Sequence, residues 1–150
     1  MIVIVADADN NLSERQSRLE RALNKIPENH LDVNEQPISD RSAGGLAIIN
    51  FETWLLADTQ TVSKILGVEL EQLENLESLD DTKDCLETAV AESTYLSEKS
   101  SNQRPLQIRW NLASEIDLAI IKTRCPNGYA AFTHYLMTSA KVVVDAITDI

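Results

Sequence analysis

A chain of 150 residues with 24 acidic and 13 basic side chains carries a formal net charge of -11. The length fits one domain over residues 1–150 rather than a two-domain enzyme, and 43% hydrophobic content excludes wholesale disorder. The charge speaks against a broad electrostatic grip on nucleic acid, because each phosphate contact needs a local cation.

Ile2–Ala6 is a short β-branched apolar run that stops at Asp7-Ala8-Asp9-Asn10-Asn11. Continuous apolar character predicts a strand buried on both faces, as in a parallel sheet, and the Asp/Asn cluster is turn chemistry. A helix follows, with Ser13 as N-cap and Gln16 completing a capping box. Leu19, Ala22, Leu23 and Ile26 form its apolar stripe, and Pro27 ends it. Arg15, Arg18, Arg21 and Lys25 crowd onto this helix, so four of the 13 basic residues lie within eleven positions. Residues 28–45 are polar and finish in Ser42-Ala43-Gly44-Gly45, which reads as a loop. Leu46–Ile49 is a second short buried strand, and Phe51–Asp58 reads as one or two helical turns. The next helix starts near Asp58 or Thr59 and runs to Gly67, a C-cap residue.

Glu69–Glu92 holds nine acidic residues and a single basic one, Lys83. It reads as a solvated amphipathic face with a short helix carrying Leu70, Leu73, Leu76 and Leu79, then a helix over Asp81–Ala91. Residues 97–105 read as a loop. Leu112, Ile116, Ala119 and Ile120 make one helical stripe, with Lys122 and Arg124 complementing the dipole at its end. Asn127-Gly128 is a turn, Tyr129, Phe132 and Leu136 carry a closing helix, and Lys141–Ile147 is expected to stay helical. The whole is α/β: a small parallel sheet opened by a βαβ unit, then a mostly helical C-terminal half. Two parallel strands do not make a sufficient sheet. Either more strands lie in the polar stretches, or another chain completes the sheet, or the N-terminus lacks strands.

Asp7 and Asp9 stand where ligands gather in open α/β sheets, at the carboxyl end of a strand. Two carboxylates two residues apart suit Mg²⁺, which takes hard oxygen ligands with water or phosphate completing its shell. A polar turn with local backbone hydrogen bonds explains the same residues. Glu52 follows the second strand and emerges on the same edge, as a third carboxylate, a base or an orienting group; an exposed first-turn Glu favoured by the helix dipole is the alternative. Asp58 reads as a helix cap and Trp54 as a core residue with its N–H paired. Arg15, Arg18, Arg21 and Lys25 offer a nucleic-acid-facing flank or, alternatively, a solvated helix face. Cys85 and Cys125 make neither a disulfide framework nor a metal-ligand spacing, so a reducing, cytoplasmic setting is expected. No apolar run approaches the roughly 20 residues of a membrane helix. No secretory leader is expected, since no basic segment precedes an apolar one at the start.

The order Asp7-Ala8-Asp9, helix, strand, Phe51-Glu52-Thr53-Trp54-Leu55-Leu56-Ala57-Asp58, acidic helical region with Lys83, Ile116-Asp117-Leu118 to Arg124-Cys125 and Phe132–Leu136 resembles a bacterial group, domain-of-unknown-function family 4276. Its members look like Toprim domains, the metal-dependent catalytic fold of topoisomerases, primases and OLD-type nucleases. The likeness spans roughly residues 1 to 137, and its most specific part is the stretch from Glu52 to Asp58. It implies that Asp7 and Asp9 hold Mg²⁺, that Glu52 is a site residue, and that the chemistry is phosphodiester cleavage or transfer on nucleic acid. It further implies an ABC/SMC-type ATPase partner in phage defence, and basic residues at Lys83 and Arg124 without an assigned role. Toprim proteins carry an earlier strand ending in a catalytic Glu. This chain begins at the Asp-x-Asp strand, so the domain is expected to be N-terminally incomplete. The competing expectations are a non-enzymatic interaction module, as a homodimer or on an ATPase, and a phosphatase of the haloacid-dehalogenase type.

Overall fold

The computed structural model describes residues 1–9, 11–31, 35, 37–38, 42–93 and 105–148. Its elements in chain order are β1 (Ile2–Asp7), α1 (Leu12–Leu23), β2 (Ser42–Ala47), α2 (Phe51–Leu55), a 3₁₀ turn (Leu56–Asp58) and α3 (Thr59–Leu66). A second 3₁₀ turn (Leu76–Ser78), α4 (Thr82–Glu92), α5 (Pro105–Glu115), α6 (Leu118–Arg124), a π turn (Pro126–Ala130) and α7 (Ala131–Thr148) follow. β1 and β2 pair in parallel from Ile2↔Ser42 to Asp7↔Ala47, with α1 as the crossover, so the βαβ unit and the α/β class are as the sequence predicts. The expected loop at residues 97–105 falls mostly outside the described residues.

The sheet departs from expectation at both strands. β1 is not buried on both faces: Ile2 and Val3 are exposed and Ile4 to Asp7 half-buried. Among the described residues it has a partner along one side only, and the helices α1 and α7 lie chiefly over β2. Ser42–Gly45 is strand rather than loop, and regular pairing ends at Ala47 rather than Ile49. The glycines are there because both faces of β2 are crowded. A Cβ on Gly44 would lie 2.8 Å from Leu23 Cδ1 of α1, and one on Gly45 would lie 2.5 Å from the Phe132 ring of α7. Two glycines that read as a turn in isolation are thus the close-approach surface of a strand sandwiched by two helices.

Capping also moves. Asn11, not Ser13, caps α1: its side chain accepts from the Glu14 N–H and donates to Glu14 Oε2 at 2.7 Å. The Asn11–Glu14 pair sits two residues upstream of the predicted capping box and is not one itself, since the Asn11 N–H goes to the Ala8 carbonyl. α1 ends at Leu23, a turn before Pro27. The predicted stripe from Leu112 to Ile120 is two helices. α5 buries Ile108 and Leu112, Ile116 is buried just after it, and Asp117 caps α6 through the Ala119 N–H at 2.8 Å. Ala119 and Ile120 consequently face solvent, and Ile121 takes the core position. Within the acid-rich stretch, Leu76 alone of the four spaced leucines sits on a 3₁₀ turn and is fully buried. Its carboxylates are not all solvated: Glu77 accepts from the Asn127 N–H, the Asn127 side chain and the Gly128 N–H, tying the stretch to the start of the π turn.

The main core lies away from the sheet, where Leu56, Val62, Leu66, Leu76, Leu86, Ile108 and Leu112 are shielded from water. Polar anchors align it with the sheet. Asn50 caps α2, and its Oδ1 accepts from the Thr53 N–H, the Thr53 hydroxyl and, at 3.0 Å, the Thr82 hydroxyl of α4. Asp58 caps α3 as predicted, accepting from the Thr61 N–H at 3.1 Å, and also accepts from the Asp117 N–H at 3.2 Å. Burial alone would raise its carboxyl, but the Thr61 hydroxyl, Thr61 N–H and Asp117 N–H together hold it below the ordinary Asp value. That stability is present above the unfolded-state pKa and is lost as pH falls through the folded one. Asp58→Ala is therefore expected to cost about 1–2 kcal/mol at pH 7, with a shrinking deficit below pH 4, read by urea melts across pH.

Candidate functional site

The crossover places the ends of β1 and β2 side by side, and the chain leaves both through strained backbone. Asp9 and Ile49 bridge each other with Asp9 N–H to Ile49 O at 2.7 Å, and both adopt left-handed φ, 48° and 67°. A β-branched residue in that region is an outlier, and such outliers concentrate at functional sites. α2 starts two residues after Ile49.

Asp7 is the last residue of β1. Its carboxylate accepts from the N–H of Phe51, the first residue of α2, yet Asp7 Oδ1 is buried without a hydrogen-bond partner among the described residues. Its carboxyl is pushed above the ordinary Asp value, chiefly by burial, then by the negative charges of Glu52 and Asp9; the Phe51 N–H and Arg15 pull the other way. Asp9 is exposed and pairs with Arg15 of α1 at 2.6 Å. The basic helix and the Asp-x-Asp turn are therefore joined through this ion pair. A pair that exposed is worth about 0–1 kcal/mol, so Asp9 is released at little cost.

Glu52 is buried, not the exposed first-turn residue of the simpler expectation. Its Oε1 accepts from Arg109 Nε of α5 at 3.0 Å, and Arg109 also reaches Glu87 of α4 at 3.5 Å. This ties Glu52 to the helical half. Among the described residues no group of three or more His, Cys, Asp or Glu side chains converges on one point as an ion cage. Asp7 and Asp9 thus stand at the edge of the sheet, and Glu52 is paired with Arg109.

Of the remaining basic candidates, Arg18 pairs with Glu14 on its own helix, while Arg21 and Lys25 are exposed and make no ion pair among the described residues. Lys83 is exposed on α4. Arg124 is structural: it donates to the Ala57 carbonyl at 2.8 Å and to the Leu73 carbonyl, closing the core. Cys125 is buried and its thiol is pushed up to about 12, mainly by burial, so it is no nucleophile at neutral pH. Trp54 also differs from expectation. It is half-buried, and its Nε1 is buried with no partner among the described residues. Sequence reasoning missed Arg109 altogether, since nothing local marks a residue 57 positions from its partner.

The edge offers oxygen donors of the kind Mg²⁺ takes. The ion is served by one or two carboxylates, with water or phosphate oxygens for the rest. A buried, orphaned carboxylate oxygen on Asp7 beside the loosely held Asp9 matches that requirement. Comparison of the chain with protein-family models, curated proteins and solved structures finds no match. No helix among the described residues is long and apolar enough to cross a membrane.

Proposed function

We propose that this chain is a Toprim-like domain that holds Mg²⁺ through Asp7 and Asp9 and acts on phosphodiester bonds of nucleic acid. The observation that carries the reading is Asp7 Oδ1, a carboxylate oxygen buried at the carboxyl edge of a parallel sheet with no donor to satisfy it among the described residues. Burial of an acceptor without a partner is costly and asks for a ligand. A bound Mg²⁺ would supply neutralisation of charge on a phosphate and its leaving oxygen. The chain's own contribution is placement. The Phe51 N–H orients the Asp7 carboxylate. Arg15 holds Asp9 against the start of α1. Glu52, fixed by Arg109, is the nearest further carboxylate and the candidate base or orienting group.

Arg21, exposed on α1, and Lys25, exposed in the turn just after it rather than on the helix, are the members of this basic group without an ion pair among the described residues, left to meet a phosphate backbone. An ABC/SMC-type ATPase partner and a role in phage defence rest on the resemblance alone. Titration calorimetry of the intact chain with MgCl₂ and MnCl₂ tests the reading. Binding at one site is expected, with metal-dependent cleavage of oligonucleotides that requires Asp7; no heat with either metal overturns it. One observation favours a second reading, an interaction module: among the described residues β1 is paired along one side only. An unpaired edge invites strand addition by a second copy or an ATPase. A strictly monomeric profile in light scattering counts against the homodimer.

A further inference from the structure

A cavity of about 500 Å³ opens beside the acidic edge. Phe51 and Glu52 form part of its wall, so it begins at the residue whose N–H holds the Asp7 carboxylate. Trp54, Arg109, Trp110 and Tyr129 continue it, and the rest is aliphatic. Both tryptophans of the chain therefore line one cavity. Trp54 is locked in place: its ring meets Phe51 edge-on at 5.5 Å and Tyr129 edge-on at 5.1 Å, with Phe132 near-parallel at 6.1 Å. Trp110 is its opposite, 71% exposed at the cavity wall.

We propose that this cavity is a nucleobase subsite, taking the base of a single-stranded nucleotide whose phosphate lies at Asp7 and Asp9. The inference rests on the reading of the protein as acting on nucleic acid and names the part of the substrate that the helical half grips. Two observations converge on a base. Four aromatic rings line the cavity, and stacking on such rings is how single strands are held without regard to sequence. The cavity adjoins the acidic edge through Phe51, so a base and its own phosphate fall on the two sides of one residue. A protein pressed flat on Trp110 would leave the volume unfilled.

Because both tryptophans sit in the wall, their fluorescence reports occupancy directly. The intact chain in EDTA is titrated with AMP, TMP, oligothymidylate and, as a base-free control, ribose 5-phosphate. Saturable quenching by the nucleotides and the oligonucleotide, and none by ribose 5-phosphate, is expected. Trp110→Ala, read through Trp54, should weaken binding by about tenfold, and Trp110→Phe should restore most of it. Circular dichroism confirms that these exposed-site variants fold. EDTA separates this result from the metal reading, which stands or falls on calorimetry. Absence of quenching, equal quenching by ribose 5-phosphate, or an unchanged affinity in Trp110→Ala overturns the proposal. Self-association abolished by Trp110→Ala, without nucleotide binding, also overturns it and assigns the surface to a second copy.

Discussion

Asp7→Asn is expected to abolish Mg²⁺ binding and, without metal, to melt at a higher temperature than the wild type at pH 7. Both effects come from one buried oxygen. The amide keeps an acceptor for the Phe51 N–H but carries no charge to be stripped of water. Losing a group that merely orients a metal ligand costs about 10–100-fold in affinity, so losing the ligand itself should exceed about 100-fold. The pH dependence has a defined sign. The Asp7 carboxyl sits above its ordinary value of 3.8 in the folded chain, chiefly through burial. The fold therefore favours its protonated form, a contribution complete below the unfolded pKa and lost as pH rises through the folded one. At neutral pH the wild type bears that loss and the variant does not, so their melting curves should converge towards pH 3. Metal reverses the order. At 100 times its Kd, Mg²⁺ adds about 2.7 kcal/mol to the wild type, roughly 5–10 °C in a chain this size, and nothing to the variant. A variant that binds Mg²⁺ as the wild type does would remove Asp7 from the site.

Gly45→Ala should be among the most damaging single-methyl changes in the sheet. Its Cβ would lie 2.5 to 2.7 Å from three atoms of Phe132, one of them the Phe132 Cβ, which cannot swing away without moving α7. Overpacking of this kind costs about 1–3 kcal/mol, or roughly 2–12 °C. Gly44→Ala is the internal control. Its new methyl meets only the tips of Leu19 and Leu23, at 2.8 to 3.1 Å, and those can change rotamer. Its cost should stay below about 1 kcal/mol. Phe132→Ala in the Gly45→Ala background should cost less than the sum of the single changes, because the clash disappears with the ring. Thermal melts of the four chains decide it, and additivity would mean that β2 and α7 are not packed as described.

The comparison of Gly45 with Asp7 shows where the sequence was readable. Asp7 and Asp9 were legible because a β-branched run ending in Asp/Asn states both the strand and its end within ten residues. The caps at Asp58 and Gly67 were legible for the same reason, and the observed φ of 68° at Gly67 is what a C-cap glycine supplies. Gly44-Gly45 misled because a glycine pair is locally indistinguishable whether it turns the chain or makes room for two helices. The break at Ile116-Asp117 misled because two short helices with one burial side carry nearly the same spacing as one long helix.

By itself, then, the sequence determined the βαβ opening, the α/β class, the acidic residues at the end of β1 and the limits of α3 and α4, since periodicity, turn residues and caps act over a few positions. The tertiary structure alone decided what that edge is made into. Arg109 pairs with Glu52, Arg15 tethers Asp9, and burial leaves Asp7 Oδ1 and Trp54 Nε1 without partners among the described residues. Charge, burial and hydrogen bonding depend on which distant residues meet, and contacts such as Glu52 to Arg109, 57 positions apart, have no local pattern to announce them.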